Sequence, residues 1–129
     1  MILNLSGRPV NNLLEISQIT LPFGNYSFVL LNLVGILENP PKFSEILEIT
    51  CDLIVRDVAN PHRVIGYFHI FENENIVNFT PTHFCEYKLR VFDISSLELK
   101  IRGLASDKNL HFSQVALQIK IEETYARFQ

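Results

Sequence analysis

The chain has 129 residues, 47% of them hydrophobic and 19% charged, with ten Phe, four Tyr and a net charge of −3. That length suits one domain, 1–129, able to bury roughly two-thirds of the surface its unfolded form exposes, and the composition excludes general disorder, which needs low hydrophobicity with high net charge. The 11 basic residues are scattered along the chain, which with a pI near 5.8 argues against a nucleic-acid partner.

Met1 to Leu5 is a short apolar segment closed by the turn-forming cluster Ser6-Gly7-Arg8-Pro9, and it reads as an edge strand or as an N-terminal arm over residues 1–8. Either would be free to pair with a neighbouring subunit. Leu14-Glu15-Ile16 begins an alternation that slips by one residue near Ser17-Gln18 and resumes at Ile19-Thr20-Leu21, the pattern of a β-bulge. Pro22-Phe23-Gly24-Asn25 then turns the chain.

Tyr26 to Leu37 is apolar on both strand faces, with Tyr26, Phe28 and Leu30 on one side and Val29, Leu31 and Leu33 on the other. A strand of this kind needs two covers, one of them a second layer or another subunit. Tyr26, Phe28 and Leu30 are therefore candidate subunit contacts. Its longest apolar run, Phe28 to Leu37, is interrupted by Asn32 and is too short to cross a bilayer as a helix, so no membrane insertion is expected.

Two prolines in Glu38-Asn39-Pro40-Pro41-Lys42 break the structure. The next strand, Glu45 to Arg56, places Leu47, Ile49, Cys51, Leu53 and Val55 on one face and Glu48, Thr50, Asp52 and Arg56 on the other. A connection from Asp57 to Arg63 leads to Val64–Phe71, Glu72-Asn73-Glu74-Asn75 is a turn, and Ile76–Phe79 is a short strand ended by Thr80-Pro81. In the following strand Cys85, Tyr87, Leu89 and Val91 alternate with Glu86, Lys88 and Arg90.

The cleanest alternation comes last, in Leu97–Arg102 and Val115–Glu122. It predicts Leu97, Leu99, Ile101, Val115, Leu117, Ile119 and Ile121 as core, because successive side chains of a pleated strand point to opposite sides. The polar loop from Gly103 to Asn109 is longer than a tight hairpin needs, and so reads as a connection across the sandwich. Residues 123–129 form a tail whose Tyr125 and Phe128 are further candidate contacts with the body or a partner.

About eight strands with turn signals at this spacing define an all-β, single-domain antiparallel β-sandwich. A jelly roll of two four-stranded Greek-key sheets matches the count and the long connections and is favoured here, and an immunoglobulin-like sandwich matches nearly as well.

Chemistry-bearing patterns are sparse. His62, His69, His83 and His111 lack metal-site spacing, and His83-Phe84-Cys85 has no second ligand pair, so neither a metal nor any other cofactor is assigned. No glycine pattern frames a serine nucleophile, and Cys51 lies on the apolar face of its strand. The five glycines are isolated from one another, which leaves no phosphate-binding loop. Glu72, Glu74, Glu122 and Glu123 read as solvated carboxylates. Tyr67, Phe68, Phe71, Phe79 and Phe84 read as core packing rather than as the walls of a sugar or lipid pocket. Cys51 and Cys85 are expected to be reduced, small and buried, since no cationic leader or long apolar run opens the chain and an intracellular location is expected.

Three segments in order, Ile19-Thr20-Leu21-Pro22-Phe23-Gly24-Asn25-Tyr26-Ser27-Phe28-Val29-Leu30-Leu31, Ile49-Thr50-Cys51-Asp52-Leu53-Ile54 and Phe92-Asp93-Ile94-Ser95-Ser96-Leu97-Glu98-Leu99-Lys100-Ile101-Arg102, resemble in strand order and turn placement the jelly-roll capsid proteins of the Polinton, adintovirus and virophage group of double-stranded DNA viruses. They make up a minor part of the chain, and no diagnostic motif of that group is matched residue by residue, so no functional residue is carried over. Proteins of that group are much longer than this chain. The resemblance therefore implies a minor capsid, vertex, cement or fibre-head protein in a virion.

The expected function is non-enzymatic: a structural or assembly protein that forms a homo-oligomer, trimer or pentamer, and meets other capsid proteins. The alternative is a trimeric recognition head of the TNF or C1q kind, or another ligand-binding β-sandwich.

Overall fold

The computed structural model describes residues 1–124. Ten strands and no helix make up this part of the chain: β1 (Ile2–Gly7), β2 (Leu13–Thr20), β3 (Tyr26–Leu37), β4 (Glu45–Cys51), β5 (Val64–Ile70), β6 (Ile76–Phe79), β7 (Tyr87–Lys88), β8 (Asp93–Gly103), β9 (Asn109–Leu110) and β10 (Phe112–Glu123). They form two antiparallel sheets. One runs β1-β10-β3-β6, with β7 also on β3, and the other runs β2-β8-β4-β5, with β9 also on β8. The two sheets face each other over a single core, which is the β-sandwich anticipated from the alternation.

All seven residues predicted as core in the last two long strands are buried. Leu97, Leu99 and Ile101 come from β8 and Leu117, Ile119 and Ile121 from β10, so the two strands face each other from opposite sheets instead of pairing. Against expectation the Gly103–Asn109 segment does not itself cross the sandwich: it is a hairpin turn within one sheet, setting Asn109 and Leu110 beside Arg102 and Ile101, and the chain crosses at His111, between β9 and β10. Each fully buried Leu or Ile contributes roughly 1.5–3 kcal/mol relative to an exposed one.

Bulges reconcile the less regular strands with this core. Against β10, Asn32 pairs with Gln118 and Leu30 with Ile119, so Leu31 is an extra residue. The side-chain parity of β3 therefore switches at Leu31. Phe28 and Leu30 point inward before it and Leu33 and Leu37 after it, which explains a strand that reads as apolar on both faces. On β10, Ser113 is the corresponding extra residue, and its hydroxyl donates to the Ile36 carbonyl at 3.1 Å. The slip expected near Ser17-Gln18 is present as well, since the β2–β8 register shifts between Glu15 and Ile19.

Three further expectations need correction in whole or in part. Of the two readings of the N-terminal segment the edge strand holds and the free arm does not, because Ile2 to Gly7 pair along their length with Lys120 to Val115 of β10 at the edge of the sheet. The strand expected to run to Arg56 ends at Cys51, where Asp52 leaves the ladder: its Oδ1 accepts the Glu98 N–H at 2.8 Å and its own N–H donates to the Glu98 carbonyl at 3.2 Å. The strand expected over Cys85–Val91 is reduced to Tyr87–Lys88 because this segment passes between sheets. Tyr87 and Lys88 pair with Phe28 and Ser27 in one sheet, while the Arg90 N–H donates at 2.8 Å to the Leu53 carbonyl in the turn that follows β4 of the other.

Candidate functional site

Tyr26, Phe28 and Leu30 do not form a subunit contact. They are buried at 7%, 0% and 2% exposure, facing the opposite sheet, which supplies the second cover that the sequence left open between a layer and a partner. Tyr26 is also tied within the chain, its hydroxyl donating to the Pro22 carbonyl at 2.7 Å and its ring meeting that of Phe92 edge-on at 6.2 Å. Tyr125 and Phe128 lie outside the described residues.

The open sheet faces differ in how much charge they carry: one described ion pair, Lys120 to Glu122 at 2.8 Å, lies on the β1-β10-β3-β6 sheet and three lie on or beside the other. On the outer face of the β1-β10-β3-β6 sheet, Asn4, Gln118 and Asn32 form one row and Ser6, Ala116, Val34 and Asn78 the next. The Gln118 amide donates to Asn4 at 3.0 Å and the Asn32 amide to Thr80 at 2.8 Å. Ile36 and Ile76 pair beyond them and are exposed. The outer face of the other sheet is charged, with Arg102 bridging Asp107 at 2.7 Å and Glu48 at 3.4 Å, and Lys100 meeting Glu98 at 3.5 Å. Such pairs on a solvated face contribute little to stability.

The sandwich is open along the side where β5 and the segment from Phe79 to Tyr87 diverge. A cleft of about 740 Å³ lies there, lined among others by Asn60, Gly66, Tyr67, Phe79, Cys85 and Tyr87. Asn60 closes one end in a local loop: its side chain donates to the Val64 carbonyl at 2.9 Å and accepts the Val64 N–H at 2.8 Å, while its own N–H is held by Asp57. Gly66 is needed at the other wall, since a Cβ there would stand 2.5 Å from the Phe79 ring. Burial pushes the Tyr87 phenol up to about 12, helped by the neighbouring Cys85 and Tyr67. Tyr87 thus presents a neutral hydroxyl at physiological pH. The cleft, whose lining also includes His83, offers shape and hydrogen bonding.

The aromatic residues divide differently from the expectation of core packing. Phe68 and Phe79 pack on the core, whereas Tyr67, Phe71 and Phe84 are exposed. The alternation of β5 turns Tyr67 outward, and Phe71 and Phe84 stand in connections. Both cysteines are free, Cys51 buried and Cys85, against expectation, exposed in the cleft wall. Cys85 donates to the His83 carbonyl at 3.9 Å, its neighbour in a loop rather than beside a core position. Desolvation by burial raises the Cys51 thiol to about 12, which keeps it unreactive. Among the described residues no group of three or more His, Cys, Asp and Glu is arranged to hold a metal ion, and no helix is long and apolar enough to cross a membrane.

One residue that alternation could not single out is Glu45, a buried carboxylate. Its Oε1 accepts the backbone N–H groups of Ala105 and Ser106 at 3.2 and 3.1 Å, and both oxygens accept from the Ser106 hydroxyl. It stabilises the hairpin turn between β8 and β9. The signal in the sequence was a charged residue at the start of the inward phase of β4, where Leu47 and Ile49 follow at the same parity.

No protein-family model, curated protein or solved structure matches this chain.

Proposed function

We propose that this protein is a non-enzymatic structural component that works by assembling with copies of itself, a jelly-roll protein of the capsid-associated kind, viral or virus-derived. The observation that carries the reading is the strand order. With the two-residue strands β7 and β9 set aside and the remaining eight numbered in sequence, the sheets read 1-8-3-6 and 2-7-4-5. First pairs with last, second with seventh and third with sixth, and only the innermost pair, four and five, is a hairpin. This is the nesting obtained when one long antiparallel hairpin is wrapped into two sheets, as in a double Greek key. An immunoglobulin-like sandwich instead keeps its first two strands as neighbours in one sheet.

The division of charge supports an assembly role. The central rows of the β1-β10-β3-β6 outer face carry amides and small apolar side chains, with the Lys120–Glu122 pair toward one end, and a surface of this kind is suited to burial against another protein, since charges are depleted from the centres of such interfaces. Size-exclusion chromatography with light scattering tests the proposal: a trimer or pentamer is expected, and a strict monomer at high concentration overturns it.

The lateral cleft favours a second reading, a ligand-binding β-sandwich such as a recognition head. Its aromatic wall and neutral Tyr87 hydroxyl suit a small organic ligand or a glycan. Glycan and small-ligand screening separates the two, since specific binding with quenching of tyrosine fluorescence favours recognition over assembly.

A further inference from the structure

We infer that a small pocket on the outer face of the β2-β8-β4-β5 sheet, where the connection from β4 enters β5, is a binding site for a phosphate group, held by the side chains of Arg56 and Arg63 with Lys100 beside them. The pocket shares no lining residue with the lateral cleft, and the inference does not depend on the assembly reading.

Strand pairing assembles the pocket. Thr50 of β4 stands opposite Lys100 of β8 and Val64 of β5, and the Cys51 N–H donates to the Arg63 carbonyl at 3.1 Å, which draws the residues just before β5 up to the ladder. Asn60 fixes the connection: its side chain is hydrogen-bonded twice to the Val64 backbone, and its carbonyl accepts the Arg63 N–H at 3.3 Å. Arg63 thereby takes a left-handed φ of 58°, uncommon for a residue with a side chain. The result is a cavity of about 120 Å³ lined by Arg56, His62, Arg63 and Lys100 together with Asp52 and Glu98. Organic ligands fill pockets of roughly 300–1,000 Å³, so this one suits a single ion-sized group.

The charges and donors around it are incompletely matched within the chain. Glu98 meets Lys100 at 3.5 Å, and Asp52 Oδ1 accepts the Glu98 N–H at 2.8 Å. Arg56 and Arg63 take part in none of the described ion pairs, and the Arg63 Nε is a buried donor with no hydrogen-bond partner among the described residues. Such an orphan donor calls for an acceptor that the chain does not supply. Three cationic side chains against two carboxylates also leave a surplus of positive charge, to which His62 adds when protonated. A guanidinium presents its N–H groups in a planar fork that matches an oxyanion. The two oxygens of a carboxylate lie in one plane, whereas a phosphate directs oxygens to both guanidinium groups and to the ammonium at once. One phosphate group therefore satisfies the orphan donor and the excess charge together.

Titration of inorganic phosphate into the whole chain at fixed ionic strength, followed by NMR of the backbone amides and arginine side chains, tests the inference. Saturable shifts are expected at the Thr50, Arg63 and Lys100 amides and at the Arg63 Nε–H, larger than those that acetate or chloride produces. Arg63→Gly keeps the backbone conformation, since glycine takes a positive φ freely, and should weaken phosphate binding about tenfold or more by removing hydrogen bonds to a charged group. Arg56→Gln, at an exposed position, is the second probe and should weaken binding severalfold with the melting temperature unchanged. Glu98→Gln removes a carboxylate from the pocket wall and should strengthen it. Glycerol phosphate, titrated in the same way, identifies the source: tighter binding than inorganic phosphate indicates a phosphoryl group carried by a small organic molecule, weaker binding the free ion, and each supports the site. Shifts that do not saturate, an equal response to acetate or chloride, or binding unchanged in both Arg63→Gly and Arg56→Gln overturns it.

Discussion

The Glu45 carboxylate occupies the space that Gly103 leaves open: a Cβ on Gly103 would collide with Glu45 Oε1. Gly103 ends β8 just before the turn whose amides that carboxylate accepts, so the glycine and the buried acid form one device. Glu45→Ala leaves the amides of Ala105 and Ser106 unpartnered and should cost about 1–3 kcal/mol. Gly103→Ala should cost a similar ~1–3 kcal/mol by overpacking. Because both changes disturb one contact, the double variant should lose clearly less than the sum in urea denaturation. Simple additivity would show that the two residues act separately.

Leu99 and Leu117 face each other's sheets from β8 and β10, both buried. Replacing either by Ala should destabilise the fold by about 2–5 kcal/mol, read from the urea midpoint at unchanged slope. A loss below about 1 kcal/mol would contradict the inward phase assigned to these strands.

Phe28 separates core from contact surface. Phe28→Ala should cost about 3–5 kcal/mol of folding stability, and the protein that remains folded should associate as the unmodified chain does. Loss of association at unchanged stability would mean that Phe28 meets a partner after all.

The two thiols should differ in reactivity. In the native protein a thiol reagent such as Ellman's should modify Cys85 and reach Cys51 only on unfolding, since Cys51 is buried and Cys85 exposed. Equal rates under native conditions would refute the burial of Cys51.

Alkaline pH provides a further test. Cys51 ionises at its ordinary 9.0 when unfolded and at about 12 when folded. The stability this group contributes is complete below the unfolded value and is lost as pH rises from 9.0 towards about 12, because only the unfolded chain releases the proton easily there. The melting temperature should fall between about pH 8 and about pH 10.5, and Cys51→Ala should flatten that fall. Tyr87, ionising at 10.0 unfolded and about 12 folded, keeps its own decline at the upper end of the range. An identical slope in Cys51→Ala would remove Cys51 as its source.

How far the molecule is legible in its sequence follows from which interactions are local. Alternation in Leu97–Arg102 and Val115–Glu122 identified the inner faces, since the pleat converts parity directly into side-chain direction. Parity failed at Leu31, where one extra residue switches faces: the same residues that look like an outer apolar surface, Tyr26, Phe28 and Leu30, lie in the core. The alternation of Cys85–Val91 likewise promised a strand, yet the segment divides its hydrogen bonds between β3 and the turn after β4. Glu45 could not be recognised as a turn-capping group because its partners, Ala105 and Ser106, stand sixty residues away.

Composition and alternation by themselves determined an all-β chain with a two-sided core, because burying apolar side chains at a period of two allows little else. Pairing was decided by tertiary structure. Which strand lies beside which depends on hydrogen bonds between segments as remote as β1 and β10, and backbone groups carry no sequence signature. For the same reason the free edge of β5 and the opening beside it emerge only from the folded chain. Its residues were legible as a strand, but a missing neighbour is a property of the sheet.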